Sequence, residues 1–280
     1  MPSPYHGREW QVLYDGEAVE GTSDSAAPYL SLSQHAEVSI GESPPQITVP
    51  KSGDVDLATI KKAWTFPIIR IRGVPNTSNG KAFFKNFGSS DTPFTLILRT
   101  SEGGSSIFHR VVGCKVKRFQ KRASIYPSAT AVEFDCEIWG WKILNTESGG
   151  GPTYESVPNT ALAWHDCSVL IGGTPLTNWY DFAWTLENDL EVIPDNAGVV
   201  TAIKRGVRQV TGQITRSVTD VSSTEFGEAE AATAKNIRID EVSDQYQFNN
   251  SAYTDVEVTY PITGMAAKQL SFTAGQYATA

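Results

Sequence analysis

Alternation of apolar and polar residues is the clearest pattern in this chain, and it is typical of antiparallel β-strands. Residues 111–119 and 131–140 each place apolar side chains at every second position, with charged side chains between them. The apolar positions are Val112, Cys114, Val116, Val132, Phe134, Cys136 and Ile138. Strands of this kind have one buried face and one solvated face.

A hairpin that joins these two segments would fix the register between them. With a turn at residues 124–125, Lys115 lies opposite Asp135 on the solvated face, and Cys114 lies opposite Cys136 on the buried face. Opposite charges that meet across two strands stabilise a sheet by roughly 0.2–1 kcal/mol a pair. The charge pattern therefore predicts this register.

Further strand patterns occur on both sides of these segments, and one segment is typical of a helix. The strand patterns lie at residues 65–73, 94–100, 180–186, 207–218 and 255–262. Residues 224–235 carry acidic residues early, alanines in the middle and Lys235 at the end, which suits a helix dipole. We predict one short helix there.

Gly- and Pro-rich stretches suggest how the chain is divided. We predict an extended N-terminal arm with one or two strands (1–64), a first β half (65–147), a flexible joint (148–158) and a second β half (159–280). The fold class is all-β with one short helix, built as two related antiparallel β-sandwich or barrel halves. One continuous sheet across both halves also fits the pattern.

Composition and charge exclude several classes of protein. The net charge is −8 and the pI is near 5.1, so we expect no basic surface that binds DNA through its phosphates. No apolar run reaches the ~18–20 residues that span a bilayer, and no secretory signal precedes the first strand pattern. We expect a soluble, unprocessed protein without membrane contact.

Residues that could carry chemistry do not form a recognisable site. His165, Asp166 and Cys167 are adjacent, but on a strand Asp166 points away from the other two, so we expect ordinary strand residues. The acidic residues between 187 and 195 are expected in a solvated loop. Seven tryptophans are expected mainly in the core, and three cysteines without metal spacing are expected as buried thiols. We expect no enzyme and no cofactor.

Two pairs of segments resemble the tail tube proteins of long-tailed bacterial or archaeal viruses. Residues 108–119 and 131–140 are similar to a hairpin of that family with a G-C-x-V strand. Residues 181–190 contain an apolar-x-Asn-x-Leu pattern, and residues 203–215 contain the family's Gly…Val-x-Gly-x-Ile pattern. The resemblance extends over about residues 95–265, and the order of the motifs carries it.

This resemblance implies a structural virion protein. Tail tube subunits form stacked rings around a hollow tube that carries viral DNA, and they contact tail completion and tip proteins. The resemblance brings no catalytic residue. The length of 280 residues leaves the ring count open between six single copies and three copies of a duplicated unit.

The acidic excess suggests a bore that repels phosphate, so that DNA passes without binding. The candidate acidic residues for the bore or for subunit contacts are Glu133, Asp135, Glu137, Glu187, Asp189 and Glu191. A tail-tip or baseplate adaptor that forms a single ring from the same fold is an alternative. A carbohydrate-binding β-sandwich with exposed Trp141 or Trp179 is a further one.

Overall fold

The computed structural model describes the chain in segments, and most of their residues lie in β-strands. The described residues are 11–22, 29–33, 37–42, 46–50, 57–62, 65–74, 83, 87–88, 90–102, 105–125, 131–148, 162–218, 226, 229–241, 244–260 and 266–279. The predicted joint lies largely outside them, so the division into domains stays a prediction.

The described strands are numbered in chain order. In the first part of the chain they are β1 (Gln11–Gly16), β2 (Leu30–Ser33), β3 (Glu37–Glu42), β4 (Gln46–Pro50), β5 (Leu57–Lys62), β6 (Pro67–Gly73), β7 (Phe94–Glu102), β8 (Ser105–Ser124), β9 (Glu133–Trp139) and β10 (Lys142–Ser148). In the second part they are β11 (Cys167–Ile171), β12 (Thr174–Pro175), β13 (Trp179–Pro194), β14 (Val200–Ser217), β15 (Lys235–Glu241), β16 (Asp244–Thr259) and β17 (Ala267–Thr279).

Fifteen of these strands form one antiparallel sheet, in the order β12-β11-β15-β16-β17-β14-β13-β8-β7-β1-β2. β9 and β10 also pair with β8, β6 pairs with β9, and β3 pairs with β6. β4 and β5 form a separate two-stranded sheet. The prediction of an antiparallel all-β fold is confirmed. The strands of both predicted halves lie in one continuous sheet, which is the alternative that the sequence pattern left open beside two separate halves.

Strand β8 joins the two parts of the sheet. Its first part pairs with β7 and β10, and its second part pairs with β9 and β13. Gly113 lies between the two parts with a left-handed φ of 64°. The Trp141 ring packs against it so closely that a Cβ at this position would lie 2.5 Å from the ring. Both constraints require glycine, and the strand bends there.

The predicted hairpin register between β8 and β9 is wrong. Cys114 pairs with Phe94 of β7, whereas Cys136 lies opposite Phe119 of β8. β8 continues to Ser124, so no tight turn forms at residues 124–125, and the register also shifts between Val116 and Arg118. This irregularity moves the charged positions of β8. Lys115 becomes buried and binds Asp91 instead of Asp135.

The helix predicted over residues 224–235 is wrong at its C-terminal end. Among the described residues, Phe226, Ala229 and Glu230 are helical, but residues 231–234 are turn and coil. Lys235 already begins β15, which buries Ile237 and Ile239 between its neighbours β11 and β16. Pairing and burial therefore prevail over the local helix propensity of this segment.

Three of the five strands described in the predicted arm, β1, β2 and β3, belong to the large sheet, whereas β4 and β5 form the separate two-stranded sheet. β1 lies between β2 and β7, and it buries Val12, Leu13 and Tyr14. β3 pairs with β6 at the opposite edge.

The core lies under the broad part of the sheet formed by β8, β13, β14, β17 and β16. Directly paired residues on its inner side form rows across these strands. Two of the rows are Lys121-Trp184-Gly212-Phe272-Tyr253 and Ala123-Phe182-Ile214-Leu270-Val256. All of these residues except Gly212 are buried. On this inner side, β8 contacts β15 and β16, although both strands lie several positions away from β8 in the sheet.

A buried ion pair crosses this core. Lys121 Nζ donates hydrogen bonds to Glu241 Oε2 of β15 (2.5 Å) and to the Tyr246 hydroxyl of β16 (2.7 Å). The side chains of Lys121 and Glu241 are 2% and 0% exposed. A buried charge is tolerated only with a partner, so this contact fixes β8 against β15 and β16.

Candidate assembly surface

The outer side of the same five strands is polar, and we call it the polar face. Its paired rows are Gln120-Thr185-Thr211-Thr273-Ala252, Arg122-Ala183-Gln213-Ser271-Asp255 and Ser124-Asp181-Thr215-Gln269-Glu257. These positions alternate with the core rows, since neighbouring residues of a strand point to opposite faces. The polar face thus presents hydroxyl and amide groups over five adjacent strands.

The candidate acidic residues extend this surface to both sides. On β9, Asp135 lies opposite Gln120 and Glu137 lies opposite Arg118, which in turn faces Glu187 of β13. The structure therefore brings Asp135, Glu137 and Glu187 onto one face of the sheet. Glu133 joins them opposite Arg122.

The expectation that Glu187, Asp189 and Glu191 lie in a loop is wrong. All three are exposed on β13, where they alternate with buried Leu186, Asn188 and Leu190. Only Asp195, also predicted in that loop, lies in the turn after the strand, where its carboxylate accepts hydrogen bonds from the Ala197 and Val199 amides. The alternation of apolar and polar residues at 180–186 continues to residue 191, with the buried Asn188 in place of one apolar residue. The sequence therefore contained the signal for a longer strand.

Arginines offset part of the acidic charge on β9. Arg122 Nη2 lies 2.7 Å from Glu133 Oε2, and Arg70 Nε lies 3.0 Å from Glu137 Oε2. Arg72 Nη2 is 3.8 Å from the same oxygen of Glu133. These pairs are largely exposed, so each contributes little to stability. On β13, Glu187 lies 3.9 Å from Lys117.

Carboxylates outnumber basic residues on the described part of this face. The acidic residues are Glu133, Asp135, Glu137, Asp181, Glu187, Asp189, Glu191, Asp255 and Glu257, and the basic residues are Arg70, Arg72, Lys117, Arg118, Arg122 and Lys204. Burial raises the pKa of Asp181, while the nearby Arg122 acts in the opposite direction. The surface as a whole is polar and acidic.

The hairpin of β13 and β14 projects beyond the rest of the sheet. Residues 188–194 pair with residues 200–208 of the same hairpin, whereas β17 leaves β14 at Val210. One side of the projection packs on the body of the protein, because Leu190, Val200 and Ile203 form a cluster with Phe66. The Asn188 amide also donates to the Val116 carbonyl at 2.8 Å. This anchoring gives the hairpin a fixed direction.

The other candidate residues have structural surroundings. Residues 164–166 form a short 3-10 helix, so the expectation of strand residues at His165 and Asp166 is wrong. The Asp166 carboxylate accepts a hydrogen bond from the Ala163 amide at 2.8 Å, and His165 is exposed. All three cysteines are buried. In the described segments, no group of His, Cys, Asp or Glu is arranged to hold a metal ion.

Three of the tryptophan rings pack against neighbouring residues. Trp184 is buried, Trp179 packs edge-on against Trp164 with 5.7 Å between ring centroids, and Trp141 covers Gly21 and Gly113. Trp141 and Trp179 are half-buried rather than exposed on a groove, so neither offers a free ring face for a sugar. In the part of the chain that the structure describes, no helix is long and apolar enough to cross a membrane.

Much of the polar face was not predicted from the sequence. The strand pattern at residues 207–218 includes Gln209, Thr211, Gln213 and Thr215 of β14, but no strand was predicted at β17, whose Gln269, Ser271 and Thr273 lie beside Thr215, Gln213 and Thr211. The signal was present, because these β17 residues alternate with Leu270 and Phe272.

Comparison with known families decides the affiliation of the chain. The family described as "Phage tail tube protein" matches residues 13–266. The chain belongs to this family. The resemblance found in the sequence is thereby confirmed, and the match extends from β1 to β16 but stops before β17. This phage tail tube family member is a structural component of a virion tail.

Solved structures similar to this phage tail tube family member come from related particles. A chain from the virion of a native gene transfer agent particle aligns with 42% of this chain and 97% of its own length, at 10% identity and a TM-score of 0.35. A chain from the tube-terminating cap of the anti-feeding prophage aligns with 47% of this chain and 95% of its own, at 13% identity and a TM-score of 0.36. No curated protein sequence matches the chain.

Proposed function

We propose that copies of this chain form closed rings that stack into a hollow tail tube, and that viral DNA passes through the bore without specific binding. The polar face is the observation that carries this proposal. It is a broad outer surface of the sheet whose paired rows carry no apolar side chain larger than the alanines Ala183 and Ala252, and it borders an acidic hairpin. We assign it to the bore.

The chemistry of the polar face suits a channel for DNA. Hydroxyl and amide groups hold a layer of water, and the excess of carboxylates repels phosphate. A surface that binds DNA would instead need an excess of Lys and Arg, which release counterions from the phosphate backbone. Among the candidate residues, Glu133 and Glu137 are offset by arginines, and Glu187 and Glu191 lie beside Lys117 and Lys204, so the repulsion comes from the excess of carboxylates over the face as a whole.

Assembly takes place in the host cytoplasm in this proposal, and the finished tube contacts tail completion and tip proteins. Two ring compositions are compatible with a family member of 280 residues: six copies, or three copies that each supply two tube units. End views of the assembled tube distinguish them.

Electron microscopy of the purified protein at increasing concentration, together with light scattering, tests the proposal. We expect long hollow tubes of uniform width with a regular axial repeat. Single closed rings at every concentration would contradict stacking and assign the protein to an adaptor at the tail tip. Persistent monomers, even with preformed tail tips added as nuclei, would refute the ring itself.

A labelling experiment tests the bore. Gln209→Cys places a thiol on the exposed polar face, and Thr174→Cys places one on the exposed strand β12 as the control. In assembled tubes we expect a small maleimide to label both variants and a bulky polyethylene-glycol maleimide to label only the control. Equal labelling of both by the bulky reagent would place the polar face outside the bore.

A further inference from the structure

β14 has a free edge where it leaves β17. Its residues 200–209 pair with β13 on one side, and no described strand pairs with them on the other. Residues 275–279 of β17 turn away to continue along β16. The two diverging strands leave a cleft of about 460 Å³ between residues 205–210 and 274–278. Unpaired backbone groups at such an edge are a template for another strand.

The cleft is basic. Arg205 and Arg208 both line it, and Arg208 lies over the Tyr277 ring at 5.8 Å from the centroid. Lys204 lies opposite Glu191 on β13, but Arg205 and Arg208 lie opposite the uncharged Leu190 and Asn188. Arg205 Nη1 is buried and has no hydrogen-bond partner among the described residues. Burial and the neighbouring Arg205 lower the pKa of Arg208. Two guanidinium groups held side by side attract a carboxylate.

The other edges of the large sheet differ in charge. β2 carries no charged residue, β12 is only two residues long and contains Pro175, and β10 has one lysine and one glutamate. β3 carries Glu37 and Glu42 and no basic residue. Glu37 lies opposite Arg72 of β6, but Arg72 is shared with Glu133. β3 is therefore an acidic edge of the described sheet, and the part of β13 beyond Glu187, which pairs only with β14 and carries Asp189 and Glu191, is another.

Both edges also expose an apolar side chain. Val207 beside the cleft is 80% exposed, and Ile40 of β3 is 36% exposed. A strand of six residues fits along the ten free residues of β14. The two edges are thus opposite in charge, and each exposes an apolar side chain. The β3 strand is also short enough to pair within the free part of β14.

We propose that β3 of one copy of this chain pairs with the free edge of β14 in a second copy, so that the acidic strand enters the cleft beside Arg205 and Arg208. The two edges are different surfaces, and a repeated contact between different surfaces generates a ring when the rotation closes. Backbone pairing supplies the contact, and the charges select the register and the partner. This inference rests on the ring proposed above and names the surfaces that close it.

Charge reversal with complementation tests the pairing. Arg205→Glu with Arg208→Glu makes the β14 edge acidic, and Glu37→Arg with Glu42→Arg makes the β3 edge basic. Each double variant alone then brings like charges together in every contact, so we expect loss of sedimentable rings and tubes. A chain that carries all four changes again brings opposite charges together at every contact, whatever the number of copies in the ring, and we expect assembly to return. Lys142→Glu on the β10 edge is the matched control and assembles like the unmodified protein.

Cross-linking provides a measurement that does not depend on the charged variants. Ser39→Cys with Val207→Cys places one exposed thiol on each edge, while the natural cysteines are buried. A short bismaleimide should join assembled copies into a ladder of oligomers, and either single variant should yield no ladder.

The outcomes separate this inference from the proposed function. Tubes from either charge-reversed variant alone, or intact tubes of the thiol variant without a ladder, would overturn the edge pairing and leave the tube standing. An unmodified protein that forms no ring would overturn the proposed function instead.

Discussion

Lys121 shows how a single residue fixes distant strands of the sheet against one another. It carries a charge in the core, where Glu241 and Tyr246 are its partners. Replacing it by Met leaves the Glu241 carboxylate buried without its counterion, which costs about 3–5 kcal/mol of unfolding free energy. Denaturant unfolding measures this, with the exposed Lys142→Met as control.

A second variant separates the ion pair from the packing. In Lys121→Met with Glu241→Leu no charge is left in the core, so we expect a smaller loss of stability than in Lys121→Met alone. An equal or larger loss would mean that shape, and not charge, dominates at this position.

Asp181 on the polar face makes stability depend on pH. Burial raises its pKa in the folded protein, so the folded state holds the proton more tightly than the unfolded state. Its ionisation therefore destabilises the fold above that pKa, and the penalty disappears as the pH falls through it. We expect Asp181→Asn to raise the melting temperature at neutral pH and to leave it unchanged in acid. A lower melting temperature at neutral pH would contradict this.

The three cysteines should be inert in the folded protein. Burial raises the pKa of Cys167 to about 12, and it raises the pKa of Cys114 and Cys136 well above the usual range. The reactive thiolate is then scarce at pH 8, and reagents have no access. We expect iodoacetamide to modify these thiols only after unfolding, whereas Gln209→Cys reacts in the native state. Mass spectrometry of the modified protein provides the count.

At the level of the strands, β14 and β17 meet through a glycine that must stay small. A Cβ at Gly212 would lie 2.2 Å from Cζ of Phe272 on the neighbouring strand. Gly212→Ala should therefore destabilise the fold by roughly 1–3 kcal/mol, as overpacking of a core does. Gly41→Ala is the control, since a Cβ there meets nothing within 4 Å.

A double-mutant cycle identifies the cause. In the background of Phe272→Ala the ring is gone, so Gly212→Ala should cost much less than in the unmodified protein. Equal costs in the two backgrounds would show that Gly212 is needed for its backbone and not for the space that Phe272 fills.

Alternation of apolar and polar residues predicted β9 and the first half of β13, but the second half of β13 and β17, which alternate as well, were not predicted. Register was not predictable, because it depends on irregularities that leave little trace in a single sequence: the shift between Val116 and Arg118 and the bend at Gly113. The Lys121 contact was equally hidden, since the alternation places an ordinary lysine in a core row and its partner Glu241 lies 120 residues away. Six acidic residues of this face were candidates from the sequence, whereas Asp181, Asp255 and Glu257 were not, and the common face of the six follows only from the pairing of β9, β8 and β13.

At the level of the whole molecule, the sheet separates two tasks. The inner side of β8, β13, β14, β17 and β16 is buried in the core, and the outer side of the same strands is polar. The net charge of −8 is thus not spread at random, because part of it lies on the face assigned to the bore and part on the β3 edge. The basic cleft between β14 and β17 is the complementary surface for that edge.

Reversing charge on the hairpin tests the direction of the polar face in an assembled tube. Glu187→Lys with Glu191→Lys replaces repulsion of phosphate by attraction, so we expect these tubes to retain DNA at low salt and to release it as salt rises. The unmodified tubes should retain none, and Glu230→Lys, an exposed change outside the polar face, should behave like them.

Nuclease protection then locates the retained DNA. DNA held in the bore is shielded by the wall of the tube, so it should survive digestion while free DNA in the same sample is degraded. Complete digestion of the retained DNA would place Glu187 and Glu191 on the outside of the tube. In that case the acidic hairpin would face neighbouring tail proteins, and the neutral rows of Gln, Thr and Ser could line the bore only if the sheet twists the hairpin away from them.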